Sequence, residues 1–380
     1  MYSRLQRFLD RKYETCFLWG PRQTGKSTLL KTLFPKSPYY DLLKSDEFER
    51  LIRHPSLLRE ELLALKSNRL VIIDEVQKIP QLLDEIQWLI VNKNLSFILC
   101  GSSARKLKRG GGNLLGGRAL RYELYPLVSR EILNFDLLRA LNHGLIPRHY
   151  LSETPSKLLQ AYIGDYLKEE IAAEALTRSV PTFSRFLETA AFSNGEVINY
   201  QNIARECGIS GPTVKEYFQI LYDTLIAFEL PSYQKRPKRR IISSPKFYFF
   251  DLGIAHFLLK RGEIQYGSEI FGRAFEHFIL QEIRAHRHYS GKEYSVSYWR
   301  TASGFEVDFI LGEHEVAIEV KGNHFIQPHH LKGLTAFSDE YKTKKTIVIS
   351  LDPKPRMINH IEILPVKNFL DALWSGKILS

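Results

Sequence analysis

The chain has few cysteines, no apolar run of membrane-spanning length, no internal repeat and no low-complexity tract. Its three cysteines, Cys16, Cys100 and Cys207, are odd in number, far apart and without metal-ligand spacing. That pattern leaves no cysteine metal site and fits a reducing cytosol. The opening stretch, MYSRLQRFLDRKYE, is too charged for a secretory leader, and the lack of a long apolar segment predicts no membrane-spanning helix. A soluble cytoplasmic protein is expected. Acidic residues are also under-represented: 42 Asp and Glu stand against 53 Lys and Arg, a formal charge of +11. This balance suits a polyanionic partner. The apolar fraction of 44% and charged fraction of 25% are those of an ordinary globular protein. A length of 380 residues predicts two or three domains.

Three textures divide the chain. Over residues 1–150, short apolar runs (CFLWG, RLVIIDE, LSFILCGSS, LRYELYPL) alternate with helical patterns, which predicts a parallel sheet flanked by helices. Residues 151–245 read as helical and end in the basic stretch YQKRPKRRIISSPKFYFFD. Residues 246–380 contain a long helix, EIFGRAFEHFILQEIRAH, then strands and a last helix.

FLWGPRQTGKSTLL carries a complete G-x-x-x-x-G-K-S between an apolar strand and a helix former. The loop Gly20-Pro21-Arg22-Gln23-Thr24-Gly25, with Lys26, Ser27 and Thr28 behind it, is read as the nucleotide-binding segment. Its glycines let successive N–H groups converge on phosphate oxygens. Lys26 would reach the β- and γ-phosphates, and Ser27 would ligate Mg²⁺. In RLVIIDEVQK, four apolar residues run into Asp74, expected to hold the ion through its water shell, and Glu75, expected to activate the attacking water. The guanine-reading Asn-Lys-x-Asp pattern is missing, since NKNL has Leu95 where Asp is needed, so ATP is the expected nucleotide. After the strand LSFILCG, Ser102 or Ser103 can contact the γ-phosphate or the water. The glycine-rich loop that follows offers Arg105 and Arg118, with Arg118 preferred as an arginine finger acting on a neighbouring subunit in a homo-oligomer. A mobile basic loop is the alternative.

YQNIARECGISGPTVKEYFQIL has the pattern of a helix-turn-helix. Gly208 makes the turn, Ser210 caps the second helix, and Ile203, Ile209, Val214 and Tyr217 or Phe218 face the core. Lys215 and Gln219 could face DNA, although Glu216 beside them would repel phosphate. Downstream, Lys235, Arg236, Lys238, Arg239 and Arg240 stand where a wing would lie. If all five bound phosphates, the salt slope would be about −4.5; otherwise they form a solvated face.

GFEVDFILGEHEVAIEVKG reads as two short apolar strands carrying Asp308, Glu319 and Lys321, the groups a buried strand least tolerates without partners. Strict alternation sets Asp308 opposite Val307 and Phe309, and places Ala317, Glu319 and Lys321 on one face. Folding at LGEHE brings the polar sets together as D-x(n)-E-x-K. Two carboxylates can bind Mg²⁺ or Mn²⁺ while the lysine stabilises charge or assists water attack on a phosphodiester. Glu276, at the margin of the apolar stripe of the long helix, is the expected third ligand. A salt bridge between strand ends is the alternative. His324, His329 and His330 show no convincing metal spacing.

LWGPRQTGKSTLLKTL, LVIIDEVQKIPQLL, CGSSARKL, GGRALRYELYPLVSREI, NIARECGISGPTVKEYFQILYDTLIAFELPSY, YFFDLGIAHFL and EVDFIL…AIEVKG together resemble a widespread prokaryotic family. Its members join an AAA-type P-loop ATPase to a carboxyl-terminal domain of unassigned function, made of a winged helix and a restriction-endonuclease-like (PD-(D/E)XK) fold. The resemblance implies an α/β chain with three parts: an ATPase domain on a parallel sheet, a central helical and winged-helix domain, and an α/β endonuclease-like domain. It also implies ATP and Mg²⁺ at Lys26, Ser27, Asp74 and Glu75, and nuclease-type roles for Glu276, Asp308, Glu319 and Lys321. The expectation is an ATP hydrolase that binds nucleic acid, DNA before RNA. ATP would order the loop around Arg105 and Arg118, change how subunits meet and so gate the distal domain. The alternatives are an ATP-switched DNA-binding regulator that cuts nothing, and an interaction scaffold.

Overall fold

A computed structural model describes residues 14–66, 69–103, 115–170, 179–235 and 238–379. It separates into two compact units, residues 1–126 with 223–225, and residues 127–222 with 226–380. The α/β expectation holds, with a parallel sheet in the first unit and a mixed sheet in the second.

In the amino-terminal unit, β1 (Cys16–Trp19), β2 (Tyr39–Asp41), β3 (Leu70–Asp74), β4 (Ser96–Gly101) and β5 (Leu120–Glu123) form a sheet in the order β2-β3-β4-β1-β5. Every pairing is parallel. Parallel strands are covered on both faces, which is why β1 and β3 are apolar without alternation and fully buried. Phe17, Val71, Ile73, Phe97 and Leu99 pack with Leu82, Leu83, Ile86 and Leu89 of a helix at Leu82–Lys93. Helix α1 (Lys26–Leu33) follows the phosphate loop directly. Because β4 lies between β1 and β3, the residue that leaves its end sits between the phosphate loop and the acidic pair.

The carboxyl-terminal unit starts with α2 (Leu137–His143) and α3 (Pro147–Tyr150). Then come α4 (Tyr200–Cys207) and α5 (Gly211–Asp223), joined through Gly208 at φ 66. β6 (Glu196–Val197), just before α4, joins β7 (Ala227–Leu230) and β8 (Lys246–Phe249) after α5 in an antiparallel sheet ordered β6-β8-β7. Helices α6 (Leu252–Leu259) and α7 (Glu269–Tyr289) lead to β9 (Val296–Arg300), β10 (Glu306–Leu311) and β11 (Val316–Val320). The chain continues through α8 (Lys332–Ser338), β12 (Lys345–Ser350), β13 (Arg356–Ile358), β14 (Ile361–Pro365) and α9 (Val366–Trp374). The six strands run β13-β14-β12-β11-β10-β9, parallel only across β11-β12 and β12-β14.

The strict alternation expected of β10 does not hold. Val307 packs with Ile310, Ala317 and Phe337, whereas Phe309 packs with Ile318, Ile349 and Phe275 in a different cluster. The register against β9 shifts between Val307 and Ile310. This irregularity breaks the two-residue alternation at Asp308, so Val307 and Phe309 do not share a face.

A buried histidine and a half-buried asparagine join α7 to β8. His277, 1% exposed, sets Nε2 2.9 Å from the Phe249 carbonyl and Nδ1 3.2 Å from the Asn194 amide nitrogen. Asn194 Oδ1 accepts from Phe249 N at 2.9 Å. Burial lowers the His277 pKa to about 3. The neutral ring is therefore the folded form, and its contribution is complete above the ordinary value of 6.5 and lost as pH falls toward 3. Asp251, raised to about 6 by burial, acts in the opposite sense, so a variant difference isolates the imidazole. Between pH 6.5 and pH 4, wild type should lose about 3 kcal/mol more stability in urea titrations than His277→Gln. Parallel pH profiles would remove the imidazole from this role.

Candidate functional site

The phosphate loop holds Gln23 at φ 64 and Gly25 at φ 97. A side chain at Gly20 would come within 2.6 Å of the Leu124 carbonyl, so the first loop position needs glycine for space. Lys26 is buried and donates to the carbonyls of Gly20 (2.6 Å) and Pro21 (2.9 Å). Thr24 Oγ1 also donates to Pro21 O, at 2.9 Å. Ser27 Oγ donates to Asp74 Oδ2 at 2.6 Å, joining residues 47 apart in sequence. Asp74 Oδ1 accepts from Glu75 N at 3.1 Å, and Glu75 occupies left-handed backbone space at φ 59 and ψ 42. Pro21 is buried and Arg22 half-buried, while Gln23 in the loop and Thr28 in the first turn of α1 are exposed.

Sequence reasoning missed two neighbours of this site. Tyr39, at the start of β2, donates to Asp74 Oδ2 at 2.5 Å; burial first, then Asp74, raises its phenol above the ordinary range. Gln77 Nε2 donates to Glu75 Oε2 and to Ser102 Oγ, the latter at 3.2 Å. A side chain at Gly101 would strike Gln77 Oε1 at 2.3 Å, so β4 ends in glycine to admit that glutamine. The DEVQ string carried a signal for Gln77, two residues past Glu75 on a tight turn; nothing pointed to Tyr39. Arg118 is exposed beside a turn at Leu115–Gly117, and Arg105 lies outside the described residues.

In the carboxyl-terminal unit, Asp308 and Glu319 are each 6% exposed. Asp308 Oδ2 accepts from Val320 N at 2.7 Å, and Lys321 Nζ donates to Glu319 Oε1 at 2.5 Å. Glu319 Oε2 is buried without a hydrogen-bond partner among the described residues. Burial raises the Asp308 carboxyl well above its usual range, with Glu319 and Glu276 adding to the effect. Burial likewise lifts Glu319 to about 7, against the pull of Lys321. Glu276 sits near enough to act on both carboxyls, yet its Oε1 already takes Tyr248 OH (2.6 Å) and Lys246 Nζ (3.2 Å). Among the described residues, no three His, Cys, Asp or Glu side chains meet in an arrangement that would hold a metal. The orphaned Glu319 oxygen and the desolvated Asp308 still suit a cation, which would relieve both. Lys246 and Tyr248 were not singled out from sequence, although the lysine of KFYF occupies a fully buried strand.

Of the residues expected to meet DNA, Lys215 and Gln219 are exposed on α5, with Glu216 exposed beside them, opposite buried Val214, Tyr217 and Phe218. Lys215 Nζ stands 5.6 Å from the Tyr200 ring centroid. Lys235 pairs with Glu313 at 2.6 Å, and Arg239 with Glu340 at 3.3 Å and the Ala336 carbonyl at 2.6 Å. Arg236 lies outside the described residues. The segment after β7 bridges to β9 and its continuation at Ser232–Tyr298 and Ile241–Thr301. His324 and His329 are exposed. Among the described residues, no helix is long and apolar enough to cross a membrane.

Residues 12–133 match the family model of an AAA domain. The match supports an AAA-type P-loop ATPase domain. Residues 134–265 and 271–369 match two models described as domains of unknown function, DUF8612 and DUF4143. An uncharacterized protein of Mycobacterium tuberculosis is 26% identical over 318 residues, covering 81% of this chain and 70% of its own length. One from Methanocaldococcus jannaschii is 23% identical over 336 residues, covering 80% and 73%. Among solved structures, a chain from two coordinating Pif1 helicases at forked double-stranded DNA is 16% identical, with a TM-score of 0.25 over 41% of this chain and 49% of that one. A STAND protein with a tetratricopeptide repeat sensor from Pyrococcus horikoshii is 12% identical, with a TM-score of 0.24 over 76% and 47%. This chain spans about half the length of each.

Proposed function

We propose that the chain is a Mg²⁺-dependent ATPase whose carboxyl-terminal unit binds DNA and carries a nuclease-type site, with nucleotide state governing that unit. The reading is carried by Asp308 and Glu319 on adjacent strands and Lys321 just past the second, where a desolvated carboxylate keeps an oxygen without a partner beside an ammonium. Asp308 and Glu319 would hold a divalent cation, which polarises a phosphodiester and activates water when bound. Lys321 would neutralise charge on the phosphate oxygens. At the other end, Ser27 and Asp74 would hold Mg²⁺ against the phosphates of ATP, Lys26 would contact them, and Glu75 would take the proton of the attacking water. A finger from Arg118 would require a homo-oligomer.

A second reading, a DNA-binding regulator that does not cut, is favoured by one observation: Glu276 is already occupied by Lys246 and Tyr248. The two readings part on incubation with single- and double-stranded DNA and Mg²⁺ or Mn²⁺. Cleavage by wild type that disappears in Asp308→Ala and Lys321→Ala supports the nuclease; cleavage surviving both places the chemistry elsewhere. Tight, salt-sensitive binding without cleavage supports the regulator, and neither property leaves a scaffold. Because Lys235 and Arg239 already pair with carboxylates, the slope of log K against log salt should be closer to about −3 than to −4.5.

A further inference from the structure

Lys246 serves neither ATP hydrolysis nor the proposed cleavage, yet it is among the most deeply buried charges of the chain, at 2% exposure. Its Nζ lies 2.7 Å from Glu306 Oε1 and 3.2 Å from Glu276 Oε1, and 5.3 Å from the centre of the Tyr298 ring. The Tyr248 hydroxyl shares the same Glu276 oxygen at 2.6 Å. A buried ammonium carries a heavy desolvation penalty, and here the surrounding carboxylates outweigh it.

The lysine does not come from the sheet that carries the acidic residues. It belongs to β8, the central strand of the three-stranded sheet, where it pairs with Val197 on one side and Leu230 on the other. Its backbone is therefore fixed by two neighbours, and its side chain crosses to α7 and β10. The result is an uneven distribution of cations over one acidic group. Glu276 has its Oε1 filled by an ammonium and a phenol, while Glu319 Oε2 is buried with no described donor to accept from.

We propose that Lys246 is a built-in counter-cation that withholds Glu276 and competes with a divalent cation for the acidic site formed with Asp308 and Glu319. This rests on the nuclease-type reading of those carboxylates. An ammonium and a divalent ion seek the same carboxylate oxygens, and two such charges a few ångströms apart in a poorly solvated site repel strongly. Metal enters fully only when the lysine withdraws from Glu276.

Mn²⁺ binding to the full-length chain tests this, followed by calorimetry and by the resonance of free Mn²⁺. Nucleotide is omitted, and every variant carries Asp74→Asn to silence the ATP site. Lys246→Met removes the charge; Lys246→Gln removes it but keeps a donor for Glu276, and so protects the fold. Both should bind Mn²⁺ at least about tenfold more tightly than the Lys246 parent. Glu319→Gln added to either should abolish the gain. Equal or weaker binding by the Lys246 variants, with a parent site still sensitive to Glu319→Gln, overturns the inference and leaves the acidic-site reading standing. Mn²⁺ binding that is absent throughout, or indifferent to Glu319→Gln, overturns both.

Discussion

Lys26→Ala is expected to lose ATP hydrolysis by about 10²–10³-fold or more, while the amino-terminal unit keeps its fold. The ammonium is buried in the loop and donates to the Gly20 and Pro21 carbonyls. No other lysine of the loop can replace it, and its removal takes away the fixed positive charge that phosphoryl transfer requires. Glu75→Gln should separate binding from chemistry. The amide keeps the shape held by Gln77 and Ser102 but accepts no proton, so nucleotide affinity should persist while turnover falls by about 10²–10⁴-fold. Steady-state phosphate release together with fluorescent-nucleotide titration measures both. Undiminished turnover in Lys26→Ala would contradict the phosphate assignment, and full activity in Glu75→Gln would move the general base elsewhere.

The second large effect concerns stability. Asp251 is completely buried and caps α6. One oxygen accepts from Gly253 N at 3.0 Å and the other from Leu145 N at 2.7 Å, so a single carboxylate joins the start of α6 to the turn after α2. The geometry leaves no slack. A side chain at Gly144 would meet Asp251 Oδ1 at 1.9 Å, and one at Gly253 would meet the His143 carbonyl at 2.4 Å. Asp251→Ala strands two buried N–H groups and loses the cap, costing about 3–5 kcal/mol. Asp251→Asn should cost less, because it keeps the acceptor for Gly253 while turning an amide N–H₂ toward the Leu145 N–H. Urea unfolding of the three proteins checks the order. An alanine variant as stable as wild type would show that the clasp carries no net energy.

Local chemistry explains which features are legible in the residue order. A phosphate loop is defined by consecutive backbone angles and spacing, so GPRQTGKS reveals it directly, as LVIIDE reveals a buried strand ending in carboxylates. The turn at Gly208 and the apolar pattern of Val214, Tyr217 and Phe218 belong to the same class. The β10–β11 pairing is also readable, because a short polar turn joins two apolar runs. The irregular register at Asp308 is not, since two-residue alternation carries no information about where a strand bulges.

By itself, the amino-acid order determined where the phosphate-loop motif, the strand ending in carboxylates and the two helices joined at Gly208 lie, because each depends on neighbours a few positions apart. Tertiary packing alone decided who answers those charges: Tyr39 and Gln77 beside the acidic pair of β3, Lys246 and Tyr248 against Glu276, and the carboxylates that claim Lys235 and Arg239. A buried charge selects its partner by distance in three dimensions and by the solvent it has lost, and neither quantity is written in the spacing of residues along the chain.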